Sequence, residues 1–117
     1  MQENILKGSI IMVEFPHIGG SVQSGLRPAI VVSNNTGNRY SPVLIVVPLT
    51  SRNKRELPTH YKLNVDGSNG LTTTSTALCE QIITVAKDSV KRVIGILNKQ
   101  DIMEINTKIK TSLALNS

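Results

Sequence analysis

Val43-Leu44-Ile45-Val46-Val47 is an unbroken aliphatic run, and four of its five residues are β-branched. Such side chains favour strands, and a run with no polar residue inside it has no face to give to water. It predicts a central β-strand buried on both sides and ending at Pro48-Leu49-Thr50. Upstream, Pro28-Ala29-Ile30-Val31-Val32-Ser33 predicts a second strand, with Pro28 at its first position, where a missing N–H costs least. The residues between them, Asn34-Asn35-Thr36-Gly37-Asn38, are turn formers. Ile10-Ile11-Met12-Val13-Glu14-Phe15 predicts the first strand. Residues 16–25, with Gly19, Gly20 and Gly25 and little to bury, are too long for a simple turn and form a candidate functional loop.

Downstream of the central run, residues 51–56 are polar and basic and predict an exposed loop. Residues 59–65 alternate well enough for a half-exposed strand. A turn over 66–70 and a threonine-rich stretch over 72–76 precede strands predicted at 77–85 and 92–97. The last element changes period. Asn98 with Asp101 three residues on marks a helix start, and Ile102, Ile105, Ile109 and Leu113 form one helical stripe. Lys108 and Lys110 fall in its later half, where cations suit the helix dipole. The expectation is a mainly β chain: one domain over residues 1–117, a small, half-open, SH3-like barrel with a C-terminal helix.

Composition narrows the function. No stretch approaches the ~18 apolar residues of a membrane span, and Met1-Gln2-Glu3-Asn4 opens with an acid rather than a cationic cluster, so a cytoplasmic protein is expected. Cys79 is the single cysteine, and its apolar neighbourhood predicts a buried thiol. With it, His17 (a loop residue) and His60 (read as a surface strand residue) are too few for a zinc site, so no metal or cofactor is expected. Residues 16–25 lack the Gly-Lys-Ser/Thr ending of a phosphate loop. The net charge is +5, and between residues 39 and 62 five cations (Arg39, Arg52, Lys54, Arg55, Lys62) face one acid, Glu56. That balance suits a polyanion or an acidic protein. The only aromatics are Phe15, Tyr40 and Tyr61, so stacking of bases on rings contributes little and basic loops must hold a nucleic acid.

An ordered set of short pieces then runs along the chain. It comprises Lys7-Gly8, Gly20-Ser21-x-Gln23-x-Gly25-x-Arg27-Pro28, Asn34-x-x-Gly37-Asn38-x-Tyr40-Ser41-Pro42, Pro48-x-Thr50, Leu57-Pro58-Thr59-His60, Glu80-Gln81-Ile82-x-Thr84 and Ser112-Leu113-Ala114-Leu115. In this order and spacing the chain resembles the MazF/PemK toxins of bacterial toxin–antitoxin systems. Ser9 departs from the Asp usual there, and residues 62–76 share little with the family. The resemblance implies a homodimeric, metal-independent endoribonuclease that cuts single-stranded RNA to a 2′,3′-cyclic phosphate and a 5′-hydroxyl. It also implies an acidic antitoxin protein as partner. Arg27 and Thr50 match the catalytic pair; Ser21, Gln23, Glu80 and Gln81 match positions that line the site or contact substrate, and Arg52 and Lys54 of the basic loop join them as substrate-binding candidates.

The chemistry fits those residue types. RNA carries its own nucleophile, the 2′-hydroxyl, so the protein needs donors for the phosphorane's growing charge rather than an attacking side chain. A guanidinium clamps two phosphoryl oxygens, and a threonine hydroxyl adds a donor. Arginine keeps its proton at ordinary pH, which favours Arg27 as electrostatic stabiliser over base. Structural alternatives stand beside this: a salt bridge at a strand start for Arg27, a turn closure for Thr50, an exposed strand ladder for Glu80 and Gln81. Two rival functions use the same fold, a poison that traps a topoisomerase without cutting RNA and a non-catalytic RNA-binding barrel.

Overall fold

The apolar runs assemble into one antiparallel sheet. The computed structural model describes residues 4–52 and 55–115. In it, seven strands appear: β1 (Ser9–Phe15), β2 (Gly25–Val31), β3 (Val43–Thr50), β4 (His60–Leu63), β5 (Ser75–Leu78), β6 (Ile83–Ala86) and β7 (Val90–Ile96). A short helix α1 (Asn35–Tyr40) precedes β3, a single 3-10 turn (Lys87–Ser89) precedes β7, and α2 (Lys99–Leu113) closes the described chain. The strand order is β4-β5-β3-β2-β1-β7, with β6 also on β3. Among the described residues β4 and β7 do not pair, so the sheet is not closed.

The sheet buries both faces, which is why its strands read as continuous apolar runs rather than alternating ones. Ile10, Ile30, Val47, Leu49 and Ala77 look into one core, where Ile105 of α2 is buried and Ile102 and Ile109 pack against it. The residues between them, Ile11, Val13, Ala29, Val31, Leu44 and Val46, look into a second core with Phe15 and Val85. Burial of β3 is complete from Val46 to Thr50 only, because Val43 and Ile45 remain partly exposed. Helix α2 begins where the sequence reading placed it. The Asn98 side chain accepts from the Asp101 N–H at 2.8 Å, and the Tyr61 hydroxyl donates to the Asp101 carboxylate at 2.7 Å, tying the helix to β4. Burial, then Asp101's hydrogen bond and charge, push the Tyr61 pKa up to about 12.

Four local expectations are corrected. Strand β2 starts at Gly25 rather than Pro28, because pairing with β1 continues through Arg27↔Val13 to Gly25↔Phe15. The predicted turn over 34–38 becomes α1, nucleated by the Asn34 side chain accepting from the Gly37 N–H at 2.8 Å. The strand predicted at 77–85 is split. Both β5 and β6 lie on the same edge of β3, but residues 79–82 leave the ladder between the Val46↔Ile83 and Leu49↔Ala77 rungs. Pro48, which has no N–H to give, stands in that interval. Finally, His60 is buried instead of lying on the surface.

The turn over 66–70 is fixed by Asp66, whose carboxylate accepts from the N–H groups of Ser68 and Asn69, both at 2.8 Å. It docks on β7 through Ile96 N–H to the Ser68 carbonyl at 3.0 Å, spanning part of the opening between β4 and β7. Gly95 makes this contact sterically possible, since a Cβ there would lie 2.3 Å from the Asn69 carbonyl carbon. Gly95→Ala should therefore cost about 2 kcal/mol, the scale of an overpacked site. Gly37→Ala meets nothing closer than 3.5 Å and should be neutral or stabilising. Thermal unfolding of the two variants checks the contrast.

Candidate active site

Strand register brings the two principal candidates together. The β2–β3 pair runs Val31↔Val46, Ile30↔Val47, Ala29↔Pro48, and the same register carried two residues on sets Arg27 across from Thr50. Both then belong to the face that buries Ala29, Val31 and Val46 deeper in the sheet. Arg27 is half-buried, and its Nε donates to the Ser24 carbonyl at 2.7 Å. That bond occupies one side of the guanidinium and leaves the terminal Nη1/Nη2 edge to meet a phosphate end-on. Thr50 is only 2% exposed, so it forms the floor of the site rather than its rim. Its Oγ1 accepts from the Arg52 N–H at 3.2 Å, which leaves the hydroxyl hydrogen to donate elsewhere.

The excursion over residues 79–82 supplies the next layer. The Gln81 side-chain amide acts as a missing strand partner for the β1–β2 loop: its Oε1 accepts from the Gln23 N–H at 3.0 Å and its Nε2 donates to the Ser21 carbonyl at 3.2 Å. With the Arg27–Ser24 bond, this fixes three successive points of a loop that has little regular structure. Ser21 is exposed; Gln23 is buried, and among the described residues its own Oε1 has no hydrogen-bond donor. Such an orphan acceptor is costly unless something else supplies the donor. Glu80 turns the other way, toward β4. Its carboxylate accepts from Thr59 Oγ1 at 2.9 Å and from His60 Nε2 at 3.0 Å.

The ring nitrogens of His60 are assigned by their partners. The Leu57 N–H donates to Nδ1 at 3.3 Å, so Nδ1 carries no hydrogen and Nε2 is the donor to Glu80. In this tautomer the contact is a hydrogen bond to a carboxylate rather than an ion pair. Burial pushes the Glu80 pKa up, but the hydrogen bonds from His60, a backbone N–H and Thr59 outweigh it and leave the carboxyl below its ordinary value. Thr59 and His60 were not singled out as site residues from the sequence; the Leu57-Pro58-Thr59-His60 motif was the available signal. Adjacent Cys79 is fully buried, and burial first, then the charge of Glu80, push its thiol up to about 12, which makes it a poor nucleophile.

The basic segment is divided by the fold. Arg39 lies in α1 before the start of β3, whereas Arg52 and Arg55 follow its end, roughly 23 Å away along an eight-residue strand. Arg52 is exposed beside Thr50, and Lys54 lies outside the described residues. Of the three aromatics, Phe15 is in the core and Tyr61 is tied to α2, while Tyr40 is 74% exposed with the Arg39 guanidinium 5.4 Å from its ring centre. Among the described residues no three His, Cys, Asp or Glu side chains gather as a metal site. No described helix is long and apolar enough to cross a membrane. An open groove of about 410 Å³ lies elsewhere, between α2 and β3, lined by Lys7, Val32, Ile45, Ile82, Ile109 and Leu113 among others.

Comparison with known proteins gives a consistent picture. Residues 6–113 match the family described as PemK-like, MazF-like toxin of type II toxin-antitoxin system. The endoribonuclease MazF of Staphylococcus saprophyticus is 35% identical over 95% of this chain and 92% of its own length. Among solved structures, a mycobacterial endoribonuclease in complex with its cognate antitoxin superposes with a TM-score of 0.79 at 26% identity, covering 97% of this chain and 98% of that one. MazF from Deinococcus radiodurans superposes at 0.82 with 21% identity, over 97% of this chain and all (100%) of the other, a likeness of fold.

The depressed Glu80 pKa has a thermodynamic consequence. Its tie to β4 contributes stability fully above the unfolded carboxyl value, ~4.3, and loses it as pH falls through the lower folded value. The wild-type protein should thus lose more stability between neutral pH and about pH 3 than Glu80→Gln, whose amide does not titrate in that range. Urea midpoints for the two proteins at both pH values check this.

Proposed function

Since the chain belongs to the PemK-like, MazF-like toxins of type II toxin–antitoxin systems, we propose that this endoribonuclease cleaves single-stranded RNA by aligning the RNA's own 2′-hydroxyl, without a metal. The observation that carries the mechanism is the β2–β3 register ending at Ala29↔Pro48, which, continued two residues, sets Arg27 opposite Thr50, with a guanidinium edge and a hydroxyl hydrogen both left to donate. As the 2′-oxygen attacks, negative charge grows on the non-bridging oxygens, and these two groups meet it. The P–O5′ bond breaks to leave a 2′,3′-cyclic phosphate and a 5′-hydroxyl, with the proton of the 2′-hydroxyl passing out and one arriving on the leaving oxygen. In this reading Arg27 stabilises charge and is also the candidate donor to that oxygen.

The remaining candidates divide by role. Ser21 and Gln23 meet the RNA from the β1–β2 loop and Arg52 from just past the end of β3, and Lys54, two positions on in the sequence, joins them. Glu80 has both oxygens engaged by Thr59 and His60, so it serves as anchor for Gln81, and Gln81 as clasp for the loop. The protein works in the cytoplasm as a homodimer, for which the partly exposed Val43, Ile45 and Leu113 offer apolar surface to bury. Its inhibitor is an acidic antitoxin that meets the positive surface and competes with RNA. The relatives named above include an endoribonuclease MazF and an endoribonuclease in complex with its cognate antitoxin, which favours RNA cleavage over the topoisomerase poison.

Cleavage of a long defined RNA should proceed fully in excess EDTA; activity that disappears and returns with magnesium would overturn the metal-free mechanism. Arg27→Ala should lose at least ~10²-fold in rate, and Thr50→Ala a similar or smaller factor. Arg27→Lys should rescue poorly, because an ammonium lacks the planar fork. Circular dichroism of each variant separates loss of chemistry from loss of fold, and an Arg27→Ala protein that is folded and cuts at near wild-type speed would remove the centre of this reading.

A further inference from the structure

The rung that carries Thr50 continues past it. On its other edge Thr50 pairs with Thr76 of β5, and Thr76 pairs in turn with Lys62 of β4. Directly opposed residues in antiparallel strands project to the same face, so Arg27, Thr50, Thr76 and Lys62 form one row across four strands. Burial agrees with that placement. One residue along each strand, Leu49, Ala77 and Tyr61 pack on the opposite face, in the core beneath α2. On the row's own face, the neighbouring positions Ala29, Pro48, Leu78 and His60 are all buried. The row is therefore a polar rung beyond a buried floor that is apolar except at His60: half-buried Arg27, buried Thr50, half-buried Thr76 and exposed Lys62. Two hydroxyls are bracketed by two cations.

The spacing gives the outer cation a separate task. Lys62 lies two strands from Thr50 and three from Arg27, roughly 10 and 14 Å at the usual ~4.8 Å between strands. One phosphate cannot occupy both ends of the row. We propose that Lys62, with the Thr76 hydroxyl, forms a second phosphate subsite that takes the backbone phosphate next to the one being cut, and so sets the direction in which RNA crosses the sheet. This rests on the ribonuclease reading for the first subsite. It differs in kind from Arg27, because an ammonium on an exposed strand is a point charge that holds RNA equally in ground and transition states.

The test separates binding from chemistry. Affinity for a defined single-stranded 2′-O-methyl oligonucleotide, whose 2′-oxygens are blocked so that it is bound but not cut, is measured over a range of salt concentrations. Lys62→Ala should weaken binding and reduce the slope of log affinity against log salt by about 0.7, the value of one lost contact to single-stranded backbone. On cleavable RNA, KM should rise about 3- to 10-fold at low salt while kcat stays within about twofold, the signature of lost uniform binding. Lys62→Arg should restore both quantities, Thr76→Val should raise KM by a smaller factor, and Lys99→Ala, on the first turn of α2, should change neither. An unaltered salt slope, an equal loss in Lys99→Ala, or a fall in kcat with KM unchanged would each overturn the proposal. The oligonucleotide measurement does not depend on turnover, so an inactive wild-type protein would sink the nuclease reading while leaving the subsite to be judged by its salt slope.

Discussion

Pro48 brings no amide hydrogen to β3, and beside it the chain between β5 and β6 leaves the edge of that strand over residues 79–82. A regular ladder there would have buried Glu80 and Gln81 in a plain rung. The interruption instead turns one carboxylate toward β4 and one amide toward the β1–β2 loop. Gln81 completes hydrogen bonds that the loop cannot make for itself, and the loop's Ser24 carbonyl holds Arg27. The break in the ladder thus reaches the guanidinium through a short series of bonds, each between named groups. Without it, Arg27 would keep its place in β2 but lose the scaffold that orients its loop.

Much of the fold was legible because burial on both faces writes itself into sequence as unbroken aliphatic runs. The runs at 10–15 and 43–47 and the stripe from Ile102 to Leu113 each marked a real element. What escaped were features that periodicity does not encode. The apolar residues Ala77, Leu78, Ile82 and Ile83 read as one strand because an excursion between two strands on the same edge leaves the composition unchanged. Asn34 gave a turn signal that was really a cap, since the same side-chain acceptor serves both. His60 looked like a surface residue because its burial depends on Glu80, twenty positions away, accepting its Nε2 hydrogen.

The site was legible in a different sense. The residue types for phosphoryl chemistry were visible, and resemblance supplied their positions, but neither showed how they meet. Arg27 and Thr50 are set opposite each other when the register ending at Ala29↔Pro48 is continued two residues, a property of two strands and not of either motif. The basic segment illustrates the converse. Its cations are neighbours in sequence, yet a full strand separates Arg39 from Arg52. Linear charge density overstated one patch and concealed a smaller alignment across strands.

The clasp joins partners 58 and 60 positions apart in the chain. Closing such intervals is entropically costly and slow compared with local helix formation, and a ribosome adds only about 5–20 residues each second. Roughly 3 to 12 s therefore pass between the emergence of Ser21 and that of Gln81. Until Gln81 is released the growing polypeptide holds its guanidinium on an unclasped loop, and between the release of Thr50 and that of β5 the strand of that threonine lacks two of its neighbours. A nascent chain on its own polysome, surrounded by the message that encodes it, has no assembled site until β5 and the following excursion have been released.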